Sequence, residues 1–189
     1  MATHTHTDDA YSWQLGSTVT LNGAGSVTLE EVGDWVALQF DGISIAQGTT
    51  ITSATLRINC TSGDEGEHTI RGDDSDDAAA LTATASDISG RTVTSALTFT
   101  GHVIATGYHD YAVTSIVQEI VNRAGWTSGN RMVLMYEGSG SDRETAAWNP
   151  SAVDTKLTIT VPDATFSPAT AIRAAQINGA VVCPWHRPL

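Results

Sequence analysis

Apolar and polar positions alternate with a period of two along most of this chain. Segments with that pattern, or with short apolar runs rich in Val, Ile and Thr, cover Ser17 to Leu21, Ser26 to Glu30, Trp35 to Phe40, Ile51 to Cys60 and His68 to Gly72. They resume at Thr92 to Thr100, Met132 to Glu137, Thr145 to Trp148 and Lys156 to Val161. Each reads as a β-strand, because β-branched side chains suit a pleated, half-buried surface. Within Ile51 to Cys60, which Thr52-Ser53 opens, Ala54, Leu56, Ile58 and Cys60 share one face and Thr55, Arg57 and Asn59 the other. The first set is predicted to face a core and the second water. Asn22-Gly23 and Asp41-Gly42 mark turns, since these residues tolerate positive φ.

At one place the period becomes 3.6. Val113, Ile116, Val117, Ile120 and Val121 form one apolar helical stripe, which predicts a helix over residues 114–124. Ser115 and Gln118 have the spacing of a capping box, and Gly125 is placed to end the helix in a left-handed conformation. Asn130 lies in a turn-rich stretch before the apolar run Met132 to Met135. The pattern predicts an all-β chain: an antiparallel β-sandwich of the jelly-roll kind, with one short α-helix at residues 114–124 and a C-terminal extension.

Composition changes near Val161-Pro162, dividing the chain into a sandwich over residues 1–162 and a tail or arm over residues 163–189. The tail is alanine-rich, with Ala169 to Ile177 as a candidate short helix and Ala180 to Cys183 as a candidate strand. It is either a loosely held terminus or an arm that lies on a neighbouring subunit, and Val181, Val182 and Trp185 supply apolar contacts for the second role. Cys60 reads as a small buried hydrophobe and Cys183 belongs to the tail. Whether they pair stays open, since neither has metal or redox spacing.

The formal net charge of -12 excludes classes of partner. Nucleic-acid binding needs a basic surface that displaces counterions, and docking on anionic lipid needs the same sign of charge. No apolar run is long enough for a membrane-spanning helix. The start, MATHTHTDDAYSW, lacks the pattern of a secretory signal, so either a signal has been removed or release is by another route, such as assembly into a phage particle, and the second is the expectation.

Candidate chemistry is sparse. Asp73, Asp74, Asp76 and Asp77 are a candidate calcium loop, since calcium takes six to eight hard oxygen ligands, and any such ion would be structural. Solvated acidity is the alternative, and Asp64, Glu65 and Glu67 read as a hairpin tip. His4 and His6 alternate on one side of an extended strand, which is either a polar N-terminal strand, the reading preferred on ligand count, or a transition-metal site at a symmetry axis where three copies would give six nitrogens. Tyr108, Tyr111 and Trp148 are candidate glycan-platform aromatics, whereas Trp35 and Trp126 read as core. No G-x-S-x-G elbow occurs, no cysteine has a recognisable partner histidine, and Glu119, Glu137 and Glu144 are explained by element positions. No catalytic residue is assigned, and the expectation is a protein that is not an enzyme.

The segments WVALQFDGISIAQGTTITSATLRI, IRGDDSDDAA, DISGRT, SIVQEIVNRAGWTSGNRMVLMYEGSGSDRETAAW and KLTITV together resemble a jelly-roll module of bacterial secreted and surface proteins. It is similar to DNRLRE-type and carbohydrate-binding-module-like sandwiches, relatives of which occur in phage particles. The resemblance spans residues 8–161 and implies a non-catalytic sandwich for attachment, spacing or recognition. The expected function is a structural protein of a phage particle: a capsid decoration, head-fibre or tail-associated jelly roll. It would reside in the virion and contact capsid or tail proteins as a homo-oligomer or lattice. The alternative is a secreted carbohydrate-binding or adhesin module that binds a glycan outside the cell.

Overall fold

The computed structural model describes residues 1–23, 27, 29, 33–60, 64–104, 107–138 and 155–163. Within them the alternating segments form ten strands: β1 (Ala2–Thr7), β2 (Ala10–Leu15), β3 (Thr18–Leu21), β4 (Trp35–Phe40), β5 (Ser53–Cys60), β6 (Asp64–Gly72), β7 (Leu97–Ile104), β8 (Gly107–Ala112), β9 (Met132–Glu137) and β10 (Lys156–Val161). One helix, α1 (Thr114–Val121), interrupts them between β8 and β9. Among the described residues neighbouring strands are antiparallel, in a four-stranded sheet ordered β1-β10-β5-β8 and a six-stranded sheet ordered β3-β2-β4-β9-β6-β7. With the β2–β3 hairpin set aside, two layers of four remain, β1-β10-β5-β8 and β4-β9-β6-β7. The first strand lies beside the last, as in a jelly roll.

The core between the sheets follows from strand parity. Val36, Leu38 and Phe40 from β4, Leu134 and Tyr136 from β9, Ala54, Leu56 and Ile58 from β5, and Leu157 and Ile159 from β10 all belong to it. The inward set expected in β5 is observed for Ala54, Leu56 and Ile58, with Thr55, Arg57 and Asn59 on the opposite face. Helix α1 closes one end of this core with Ile116, Val117, Ile120 and Val121, and Val113 beside them is also fully buried. The helix can come close because Gly72 in β6 has no side chain: a Cβ there would meet Ile120 Cδ1 at 2.7 Å and Ile116 Cγ2 at 2.8 Å. Trp126 packs at 1 % exposure and donates its indole N–H to Ile45 O at 2.9 Å, which makes it core, as its position predicted.

Four local expectations are corrected. The capping box does not form: Val113 is the N-cap, with no side-chain cap, and Ser115 lies inside the first turn. Gln118 is drawn off to the 49–51 segment, accepting from Ile51 N–H at 2.8 Å and donating to Thr49 O at 3.0 Å. The helix ends at Val121 with a right-handed Asn122 at its C-cap, and Gly125 is a close-approach glycine whose Cβ would overlap the Asp76 carboxylate. Asp64, Glu65 and Glu67 are not a hairpin tip, because β7 runs on to Ile104 and the ladder reaches Asp64. The strand expected from Thr92 starts at Leu97, since residues 92–94 are bonded to the end of β6: Thr94 Oγ1 accepts the Gly72 N–H at 2.9 Å. The segments 145–148 and 163–189 lie outside the described residues, apart from Asp163.

Candidate contact face

The two sheets have contrasting outer faces. On the six-stranded sheet, Trp35, Ala37, Val133 and Met135 point away from the main core and are covered by residues 73–96, which contribute Ala78, Leu81 and Ile88 to a second apolar cluster. Two buried glutamines fasten this cover. Gln14 Oε1 accepts the N–H groups of Ile88 at 3.1 Å and Ser89 at 3.0 Å, and Gln39 Oε1 accepts that of Leu81 at 2.9 Å. Such a long segment without regular structure stays ordered only if its polar backbone finds partners.

The rest of the fastening is ionic. Arg91, whose side chain is 7 % exposed, donates to Asp73 Oδ2 at 2.7 Å, to Asp87 Oδ2 at 3.2 Å, and to the carbonyls of Ala79 at 2.9 Å and Ala80 at 3.3 Å. Arg123 reaches across from the end of α1 to Asp74 and Asp76, and Arg131 pairs with Asp41 while its N–H donates to Asp77 Oδ1 at 2.8 Å. These partners raise the pKa of Arg123 and Arg131 further above the usual guanidinium value. Asp73, Asp74 and Asp77 line an open depression of about 490 Å³ with Asp87, Arg91 and Ser86. The four aspartates do not fit a calcium ion, since three of the four carboxylates each give an oxygen to a guanidinium and six to eight oxygens are needed. Among the described residues no three His, Cys, Asp or Glu side chains converge as a metal would require.

The outer face of the four-stranded sheet carries no such cover among the described residues. Register places Thr3, Thr160 and Ser53 in one rank, Thr5, Thr158, Thr55 and Ala112 in the next, and Thr7, Lys156, Arg57 and Asp110 in a third. Ranks on such a surface repeat about 4.8 Å across strands and about 6.8 Å along them. The hydroxyls of Thr3 and Thr160 approach to 3.4 Å. At the β8 end, Tyr108 is 41 % exposed opposite Asn59, beside the forked pair in which Arg57 Nε and Nη2 donate to Asp110 at 2.7 and 2.8 Å. That pair holds the Asp110 carboxyl below the usual range, chiefly through the Arg57 hydrogen bond.

Of the three aromatics expected to form a glycan platform, two are described, and of these Tyr108 is on this face. Tyr111 is buried at 1 % on the opposite side of β8, packed edge-on against Phe99 and Tyr136, because residues three apart on a strand face opposite ways. Trp148 lies outside the described residues, as do Val181, Val182, Trp185 and Cys183 of the tail, and the side chain of Cys60. The threonine ranks were missed as a feature, although T-x-T-x-T in β1 and T-x-T in β10 are the signal for them.

His4 and His6 lie on the inward side of β1, opposite Ile159 and Leu157. His4 Nδ1 is 3.4 Å from Ser44 Oγ, and burial with the nearby His4 charge lowers the pKa of His6 despite Asp9. The next residue on that side, Asp8, has its carboxyl pushed up to about 6, mainly by burial. No helix among the described residues is long and apolar enough to cross a membrane. No protein-family model matches the chain, and no curated protein matches it at a significant level.

Proposed function

We propose that this chain is a non-enzymatic structural protein of a phage particle, a capsid decoration, head-fibre or tail-associated jelly roll, that acts by protein–protein contact. The observation that carries the reading is the outer face of the four-stranded sheet, uncovered among the described residues, with threonines in ranks and only Arg57, Asp110 and Lys156 charged among its residues named above. In a chain of net charge -12, a nearly neutral flat face is the place where another surface can approach without repulsion. Such a face has short side chains that lose little entropy on docking, so each contact is weak and specific in shape. Repetition on a lattice then supplies avidity. The covered side supports the same reading, since its ion pairs fasten the 73–96 segment and leave that side as scaffold.

Particles assembled with and without this protein, compared by electron microscopy, test the proposal. Sandwich density seated by the four-stranded sheet is expected, and its loss when Thr158→Glu places a charge in the middle rank. Particles with no such density in either preparation overturn it.

A second reading, a secreted carbohydrate-binding or adhesin module, is favoured by one local feature. Tyr108 offers a ring face beside the Asn59, Arg57 and Asp110 polar groups, the pairing of stacking surface and hydroxyl readers that sugars need. It predicts glycan affinity in the range of about 1 μM to 1 mM, abolished by Tyr108→Ala. A glycan array without hits removes it.

A further inference from the structure

We propose that β1 pairs antiparallel with β1 of a second copy of this chain, and that His4 and His6 across the new seam bind a divalent transition metal. The inference does not rest on the particle reading and concerns the edge of the four-stranded sheet, not its face.

Edge strands present unpaired backbone groups, and proteins blunt them with short length, charge, proline or bulges. β1 has none of these devices. It pairs with β10 over six consecutive residues without a register shift, and its sequence, ATHTHT, holds no proline, lysine or carboxylate. The other three edges are each blunted: β3 is four residues long, β7 borders a register shift at Gly66/His68, and β8 carries Asp110.

Backbone direction can be read across the sheet. Thr52 N–H donates to Thr160 O at 2.8 Å and Val113 N–H to Ala54 O at 2.9 Å, so the peptide groups of Thr160 face β5. By strand alternation those of Ile159 and Leu157 face β1, where they bond His4 and His6. The N–H and C=O groups of Thr3, Thr5 and Thr7 therefore point outward from the edge. One antiparallel register pairs all three with a second copy, Thr5 with Thr5 and Thr3 with Thr7.

In that register His4 of each copy stands directly opposite His6 of the other, in the closer, non-hydrogen-bonded type of pair. Cβ atoms there are about 4.5–5.5 Å apart, within reach of one ion between two imidazoles. His6 Nε2 is shielded from solvent and has no hydrogen-bond partner among the described residues, so this ring nitrogen is not committed to another group among them. Two imidazoles from each of two copies supply the nitrogen ligands that borderline-soft divalent ions prefer. The occupant is a second copy because the seam is self-complementary and its strand holds no lysine or carboxylate, in a molecule whose acidity otherwise keeps copies apart.

Sedimentation velocity of the full chain, in EDTA and with added zinc chloride, tests the proposal. A concentration-dependent dimer is expected, tightened about tenfold or more by zinc. Thr5→Pro removes an outward N–H without touching the β10 ladder, and is expected to give a monomer with an unchanged far-ultraviolet spectrum. His4→Ala and His6→Ala are expected to lose the zinc effect, and they keep the test valid should Thr5→Pro fold poorly. A chain that is monomeric at every concentration with and without zinc overturns the proposal, as does a dimer indifferent to Thr5→Pro or a zinc effect that survives both histidine variants.

Discussion

The outer face of the six-stranded sheet and that of the four-stranded sheet use the same pleat to opposite ends. The first places Trp35, Ala37, Val133 and Met135 outward and must be covered, and residues 73–96 do the covering. The second places Thr5, Thr55 and Thr158 outward and carries no such cover among the described residues. The difference shows where the acidity of the chain is used. Asp73, Asp74, Asp76 and Asp87 hold arginines that fasten the cover, whereas Asp110 is the carboxylate named on the bare side. One side is closed by a fastened segment, and the other has no such segment over it among the described residues.

Removing the central fastener should break the contrast most severely. Arg91→Ala leaves Asp73 buried without its partner, and a loss of about 3–5 kcal/mol is expected in denaturant unfolding, with faster proteolysis within 73–96. Ile88→Ala empties the second cluster and should cost about 2–4 kcal/mol by the same measurement. Gly125→Ala forces the Asp76 carboxylate aside, disturbing its bond to Arg123, for a loss of about 1–3 kcal/mol. On the bare face Thr158→Ala should change stability by no more than about 0.5 kcal/mol, so any loss of docking it causes reports on contact alone. A large stability loss there would erase the distinction between the faces.

The smallest effect expected is a pH dependence. The folded-state pKa of Asp110 is depressed by Arg57, so its contribution is present above the unfolded carboxylate value and is lost as pH falls through the lower folded value. Because the pair is half-exposed, Asp110→Asn should remove only a slight acid-side slope from the stability curve.

Much of the architecture was legible from periodicity. The stripe from Val113 to Val121 marked α1, and WVALQF marked a strand, which the structure then shows to be buried on both faces. β2 and β8 were not read as strands, since AYSWQL and GYHDYA mix polar residues with aromatics and offer no clean alternation. The partners of the candidate calcium loop were hidden for another reason: its carboxylates are met by Arg91, Arg123 and Arg131, which lie 18, 47 to 49 and 54 residues away. Tyr111 could have been separated from Tyr108 by their odd spacing alone, once both were placed on one strand.

Alternation and local propensity determined, without any tertiary information, that this chain forms layered strands with one apolar helix, because side-chain period is a property of neighbouring residues. Which carboxylate meets which arginine, which sheet is covered, and which edge remains open were decided only in three dimensions. Those outcomes depend on contacts between residues distant along the chain, and chain order carries no record of such distances until the layers have packed.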